Sequence, residues 1–493
     1  VVGPTLGAEA IQAGFISFIL ALIIVLAYMA FYYSAAGLVA DLALLANLFF
    51  VMGVLSSLGA TLTLPGIAGI VLTIGMSVDA NVLIYERIRE ELRAGKGVRL
   101  AIVDGYKNAY SSIIDANITT LLTGIILYIF GTGPIKGFAT TLIIGIATSL
   151  FAAIFITRLL FEWRLDTNAT PRFSTTLTQN LMTNTNFQFV RKRRLFYLIS
   201  GVIILLGLGS LSMRGLNYGV DFTGGRSYIV RFDETFNVSD VAASVGNEFI
   251  AEDGRKLIPE VKTYGAKNQV KLTTKYLIDH EGVEVEDQVE EALFNGLKPF
   301  LNGIGMDQFQ EEHLMSSQKV GPTIADDIKQ GAIWAVIFSL IVIFLYIVIR
   351  FRKWQFGLGA LVAMFHDVVV VLSLYSILYG LMPFSLEIDQ AFIAAILTVV
   401  GYSINDTVVV FDRIREYLGL HKRKDYEGVI NDALNSTLSR TMNTSLSTLV
   451  VLLMIFFFGG EVIQGFVFAL IIGVVVGTYS SLCVATPVVV DIG

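Results

Sequence analysis

One stretch of this sequence occurs twice, and both copies carry acid in apolar surroundings. Residues 75–90 read GMSVDANVLIYERIRE and residues 401–416 read GYSINDTVVVFDRIRE, a constant offset of 326 residues (401 minus 75). A second pair, VGPT at 2–5 and VGPT at 320–323, opens each copy. A charged side chain inside a bilayer costs at least ~2.5–3.5 kcal/mol on insertion scales, so it is normally turned inward and partnered. A chain that keeps such groups in both copies is expected to fold as two related helical bundles around ionisable groups at membrane depth. That is the plan of a transporter-like machine.

The composition agrees with a bilayer as solvent. Of 493 residues 54% are hydrophobic and only 15% charged, with a mean hydropathy of +0.69, more apolar surface than a water-soluble fold needs. The net charge of −6 says little, because location decides what charge does in such a protein. Cys483 stands alone, which excludes an intrachain disulfide and reads as a small packing residue. His280, His313, His366 and His421 lack metal-ligand spacing, so no metal site is expected. No GxxxxGK[ST] phosphate loop occurs. GTGPIKG at 131–137 falls between two helices, where its glycines serve a tight turn. With no Ser-His-Asp grouping either, neither an enzyme nor a cofactor is expected, and an ion gradient is the default power source.

Eleven apolar stretches are long enough to cross ~30 Å of hydrocarbon: roughly 11–33, 38–60, 66–88, 112–132, 138–161, 195–213, 327–350, 356–380, 389–412, 438–459 and 464–489. Basic residues orient them. Arg87, Arg89, Arg93, Lys96, Arg99 and Lys107 follow the third, and Arg164, Arg172 and the run Arg191–Arg194 follow the fifth. Arg350, Arg352, Lys353, Arg413, Arg415, Lys422, Arg423 and Lys424 repeat the pattern, whereas the opposite short loops hold only Lys136. By the positive-inside rule the basic loops are cytoplasmic, and the assignment alternates without conflict. The same alternation places 214–320 outside the cytoplasm. That segment reads as β-α-β-β-α-β: a strand at 226–232, a helix at 238–250, a hairpin around Ala266–Lys267, a helix at 286–301 and a last strand over 307–320. A small α+β, ferredoxin-like domain is expected. The expected organisation is a five-helix half over 1–165, a cytoplasmic linker over 166–194 with a short interfacial helix, a single helix at 195–213, the domain over 214–320, and a second five-helix half over 321–493. The start, VVGPTLGAEA, has no Met and no basic n-region, so it is no signal peptide. The second copy is preceded by a helix and a domain that the first lacks, so the chain is expected to be part of a longer protein, with a naturally shorter form as the alternative.

The intramembrane candidates are Asp41, Asp79, Asp115, His366, Asp367, Asp406 and Arg440. Asp41 and Asp367 are repeat mates. Asp79 aligns with Asn405 and Ala80 with Asp406, so each copy keeps a carboxylate shifted by one position, while Arg440 aligns with Ile114. Arg440, Thr444 and Ser447 share one helical face, and Asp115, Thr119 and Thr123 another, which outlines a polar seam. Two carboxylates and one guanidinium around such a seam make a proton relay. Plainer readings stand beside this one. Arg440 lies near a helix end and could snorkel to the interface. Asp41 and Asp367 could be structural, Asp115 could cap or orient a helix, and Glu86 and Asp412 with the RIRE that follows read as a solvated cytoplasmic end.

At these motifs the chain closely resembles the protein-export membrane proteins SecD and SecF of the resistance-nodulation-division superfamily. Residues 75–91, 112–122 (SIIDANITTLL) and 131–146 are SecD-like. YGVDFTGG at 218–225, His366–Asp367, 401–416 and 439–448 (SRTMNTSLST) are SecF-like. The resemblance implies a multi-pass protein of the bacterial cytoplasmic (inner) membrane with twelve helices at full length. It implies work beside the SecYEG channel, with YidC and other Sec accessory subunits as further partners. Unfolded preprotein would be the substrate, membrane lipid the surroundings, and the proton motive force or sodium the drive; no nucleic acid is implied. It places the ion relay on Asp79, Asp406 and Arg440. Asp41, Asp115, Thr119, His366, Asp367 and Thr444 are possible supporting groups, and Asp221, Gly224 and Gly225 form the motif at the start of the domain. It also implies a first helix and a large outer domain in the SecD half, which this sequence does not contain. The alternative is a small-molecule or lipid exporter of the same superfamily.

Overall fold

The computed structural model describes every residue except 1–3, 61–62, 168, 183–184, 252–253, 265–267, 281 and 422–423, and no side chain in 4–7 or at 283. Val2 and Gly3 of the first VGPT, the turn at Ala266–Lys267, and Lys422 and Arg423 therefore lie outside the described residues.

The first half contains α1 (Pro4–Tyr33), α2 (Ala35–Ser57), α3 (Leu64–Arg93), α4 (Val98–Phe130) and α5 (Gly133–Asp166). A single helix, α6 (Arg193–Arg214), leads into the domain: β1 (Gly225–Arg231), α7 (Val238–Glu248), β2 (Glu260–Thr263), β3 (Gln269–Thr274), α8 (Val283–Leu297) and β4 (Leu314–Val320). The second half contains α9 (Pro322–Phe351), α10 (Trp354–Leu378), α11 (Gln390–Leu420), α12 (Tyr426–Phe458) and α13 (Glu461–Ile492). Among the described residues eleven helices are long and apolar enough to cross a membrane, the number the sequence indicates.

Several helices outrun their apolar windows. The apolar stretch of α12 begins near 438, yet the helix begins at Tyr426, because Asp425 caps it by accepting the Gly428 N–H at 3.1 Å. Val429, Ile430, Ala433 and Leu434 then bury one face of the extension. In the same way Thr63 caps α3 through the Gly66 N–H at 3.1 Å, with Pro65 preset in the first turn.

The two copies meet through their central helices. A Cβ added to Gly75 of α3 would lie 3.1 Å from the Thr448 Cα of α12, and one added to Gly401 of α11 would lie 3.0 Å from the Thr123 hydroxyl of α4. These repeat mates thus allow each central helix to press against a helix of the other half. Both copies also carry a five-residue π turn in the last helix, at Ala152–Ile156 and Ser481–Ala485.

The domain sheet is antiparallel with strand order β2-β3-β1-β4, the ferredoxin-like arrangement. Tyr228, Val230, Val270 and Leu272 cover α7 and α8, where Val241, Val245, Val289 and Leu293 are buried. The alternate positions Ser227 and Ile229 face a cavity against the helical bundle. Both faces of β1 are covered, so its burial is nearly continuous. The last strand is shorter than the sequence suggested. It starts at Leu314, because Met306–His313 coils into helical turns that bury Phe309.

The described residues of 169–192 run as turns and irregular chain across the end of the bundle remote from the domain, and among them no interfacial helix forms. The path is fixed by hydrogen bonds to both halves. Thr178 donates to Tyr32 O at 2.7 Å, and the Phe187 N–H reaches Asn435 at 2.8 Å.

Candidate functional site

Arg440 is where the two halves meet electrostatically. One guanidinium nitrogen lies 2.9 Å from Asp406 of its own half, and another lies 3.0 Å from Asp79 of the other half. Arg440 is 4% exposed and Asp406 2%. It does not snorkel: α12 continues 14 residues before it (440 minus 426), so it stands well inside the helix. The fork geometry of arginine lets one cation serve two carboxylates, which lysine could not do as well.

The pseudo-symmetry reappears in the supporting bonds. Asn405, repeat mate of Asp79, donates its amide to the second Asp79 oxygen at 2.6 Å. Ser445 reaches Asp406 at 3.4 Å and shares a 2.6 Å hydrogen bond with Thr478. Tyr402 donates to Thr448 at 3.2 Å beside the group. Arg440 Nε and Asn405 Oδ1 are buried and have no partner among the described residues, which leaves hydrogen-bonding capacity for water. The asparagine contact was not foreseen from sequence. Its signal was the alignment of Asn405 with Asp79, since repeat mates on two facing helices come together at the pseudo-twofold axis.

The other intramembrane candidates lie elsewhere, and among the described residues none hydrogen-bonds a member of this triad. Asp115 pairs with Arg350 of α9 at 2.6 Å and accepts the Tyr346 hydroxyl at 2.9 Å, fastening α9 to the first half. Thr119 donates to Ala116 O, Thr444 to Thr441 O and Ser447 to Thr444 O, each within its own helix. Asp367 is fully buried and satisfied: Ser403 at 2.5 Å and Ser480 at 2.7 Å meet one oxygen, and His366 at 2.9 Å the other. Among the described residues its mate Asp41 has no such cage, and its Oδ1 has no partner there. The supposedly solvated end is substantially buried. Glu86 is 7% exposed, pairs with Arg89 at 2.6 Å and accepts the Tyr33 hydroxyl at 3.1 Å.

Asp221 joins the domain to α11. One oxygen accepts Gln318 of β4 at 2.8 Å, and the other accepts the backbone N–H of Gln390, first residue of α11, at 3.0 Å. Asp389 caps the same helix through the Phe392 N–H at 2.8 Å. Burial pushes the Asp389 carboxyl up to about 6, and neighbouring Asp221 adds to that rise. At the same junction the Gly219 N–H donates to Ile388 O at 2.9 Å and the Ile388 N–H to Asn217 O at 2.7 Å, and Lys271 pairs with Glu387. Gly224 and Gly225 take φ of 64° and 141°, and a Cβ on Gly225 would stand 3.0 Å from Thr274 O. Glycine is therefore required where the chain turns into β1.

Residues 1–166 and 304–493 match the family described as protein export membrane protein SecD/SecF, C-terminal, and residues 209–235 match the SecD/SecF GG motif. The chain belongs to the SecD/SecF family. Among its relatives, a protein translocase subunit SecDF from Brucella abortus is 34% identical across 100% of this chain and 62% of its own length. A protein translocase subunit SecF from Rhodothermus marinus is 46% identical over 63% of this chain and 94% of its own. The crystal structure of SecDF from Thermus thermophilus, titled a translocon-associated membrane protein, superposes with a TM-score of 0.86 at 36% identity, covering 100% of this chain and 63% of that one. The chain thus spans less than two thirds of the length of the SecDF proteins it matches. It is a multi-pass membrane protein of the SecD/SecF type.

Proposed function

We propose that this protein is an ion-gradient-driven accessory motor of the Sec translocon, assisting preprotein export in the bacterial cytoplasmic membrane. The observation that carries the reading is one buried guanidinium shared between carboxylates of two pseudo-symmetric halves. Two carboxylates against one guanidinium leave one excess negative charge, which a single proton cancels. A proton on Asp79 leaves Arg440 paired with Asp406. Its loss restores the double pairing and draws α3 toward α12. Moving one charge through the field yields about 2.3 kcal/mol per 100 mV, enough to shift a two-state ratio roughly 40-fold. Because Asp221 holds the start of α11, a shift of that helix would be felt by the domain over 214–320. Basic loops at the opposite end support placing the domain outside the cytoplasm. The partners are the SecYEG channel, YidC and unfolded preprotein; the ion is H⁺ or Na⁺. No covalent chemistry is required, so the protein is read as a transport machine rather than an enzyme.

The test is preprotein translocation in vesicles under a clamped H⁺ or Na⁺ gradient, with Asp79→Asn, Asp406→Asn and Arg440→Met. Loss of gradient-dependent stimulation in all three is expected. Full activity in all three would overturn the relay.

A further inference from the structure

Arg87 and Glu90 of α3 are repeat mates of Arg413 and Glu416 of α11, at the same offset of 326 (413 minus 87, 416 minus 90). The four pair crosswise. Arg87 lies 2.6 Å from Glu416, and Arg413 lies 2.8 Å from Glu90. Each arginine also holds the glutamate of its own helix, Arg87 to Glu90 at 3.2 Å and Arg413 to Glu416 at 3.0 Å. The result is a closed ring across the pseudo-twofold axis. The arginine side chains are 12% and 9% exposed and those of Glu90 and Glu416 32% and 38%, so the cations are sequestered while the acids are half-buried. Arg413 is held further by Ser436 at 2.9 Å and by the Tyr417 ring, 4.8 Å away.

Just inside the ring lies a cavity of about 30 Å³, bounded by Arg87, Glu90 and Arg413 and also by Glu86, Thr437 and Arg440. It has room for about a water molecule or two. Arg440 of the triad is one wall of it, and the ring is another. A path from Asp79 and Asp406 to the basic-loop side would run through this cavity and then meet the ring.

We propose that the Arg87–Glu416 and Arg413–Glu90 pairs are the cytoplasmic gate of the ion path, an inference that rests on the relay reading of the triad. The doubled pairing makes opening inexpensive. When α3 and α11 part, the cross pairs break while the in-helix pairs Arg87–Glu90 and Arg413–Glu416 remain, so no charge is stranded. The ring is joined to the relay through the same two helices: Arg87 follows Asp79 by 8 residues (87 minus 79) and Arg413 follows Asp406 by 7 (413 minus 406). That is about 10–12 Å of stiff helix. A change in helix separation at the triad therefore reaches the gate.

Cys483 is the sole cysteine, so Cys483→Ala gives a clean background in the full chain. Thr437→Cys then reports on the cavity in vesicles exposed on the cytoplasmic face to a membrane-impermeant methanethiosulfonate. Ser112→Cys, on the α4 side of the same cavity, is the second probe. With the ring intact, labelling is slow. Glu90→Gln with Glu416→Gln is expected to raise the rate about tenfold or more, as a shifted opening equilibrium requires. The fourfold reversal Arg87→Glu, Glu90→Arg, Arg413→Glu, Glu416→Arg rebuilds all four pairs with opposite sign and is expected to return the rate to within about threefold of the intact ring. Equal labelling with intact and broken rings at both probes would overturn the gate, as would a fourfold reversal that labels as fast as the broken ring. Labelling needs no gradient-driven translocation, so failure of the relay and failure of the gate are read in different assays.

Discussion

Replacing Arg440 should cost more stability than replacing either acid that it binds. Arg440→Met removes two contacts, at 2.9 and 3.0 Å, from a site where the cation is 4% and Asp406 2% exposed. The local charge goes from one excess negative to two, with no cation left. Stranding a buried ion by removing its partner costs about 3–5 kcal/mol, and here two carboxylates are stranded together. Asp406→Asn instead leaves Asp79 and Arg440 as a neutral pair, and about 1 kcal/mol is expected, an ordinary buried substitution. The triple variant Asp79→Asn, Asp406→Asn, Arg440→Met has no charge to strand. It should recover most of what Arg440→Met loses while remaining inactive in gradient-driven translocation. The assay is denaturant unfolding of the detergent-solubilised chain at neutral pH, followed by tryptophan fluorescence. If Arg440→Met unfolds with Asp406→Asn, or the triple variant gains nothing over Arg440→Met, the charge accounting at this site is wrong.

Asp221→Ala removes the acceptor for Gln318 and for the first N–H of α11. A loss of about 1–2 kcal/mol is expected for the cap, along with faster hydrogen exchange at the first turn of α11 and weaker gradient-dependent translocation although the triad is untouched; unchanged exchange would show that the junction does not depend on Asp221. The Asp389 carboxyl is raised by burial to about 6. A raised acid favours the fold while protonated, so its contribution is present below about pH 4 and lost as pH climbs through 6. Asp389→Asn keeps the cap and should flatten the stability profile between pH 4 and 6, where one proton contributes at most about 1.4 kcal/mol per pH unit; an unchanged profile would reject the assignment.

Much of this molecule is written locally. Span number, the doubling of the bundle, the βαββαβ order of the domain and the isolation of Asp79, Asp406 and Arg440 in apolar helices follow from hydropathy, period and repeat offset. Those properties are carried by neighbouring residues and survive without knowledge of the fold. Helix ends were less legible, because a polar start such as Tyr426–Leu434 of α12 becomes helical only when its inner face is buried.

Which charges touch was decided by tertiary packing alone. Asp115 looks as suitable for a relay as Asp79, yet it faces Arg350, 235 residues away, whereas Asp79 faces Arg440, 361 residues away. The RIRE segments look like solvated ends and instead interlock across the axis. The choice rests on how closely two helices approach and at what rotation. Gly75 and Gly401 set that approach through contacts with the opposite half, and no local pattern records the rotation.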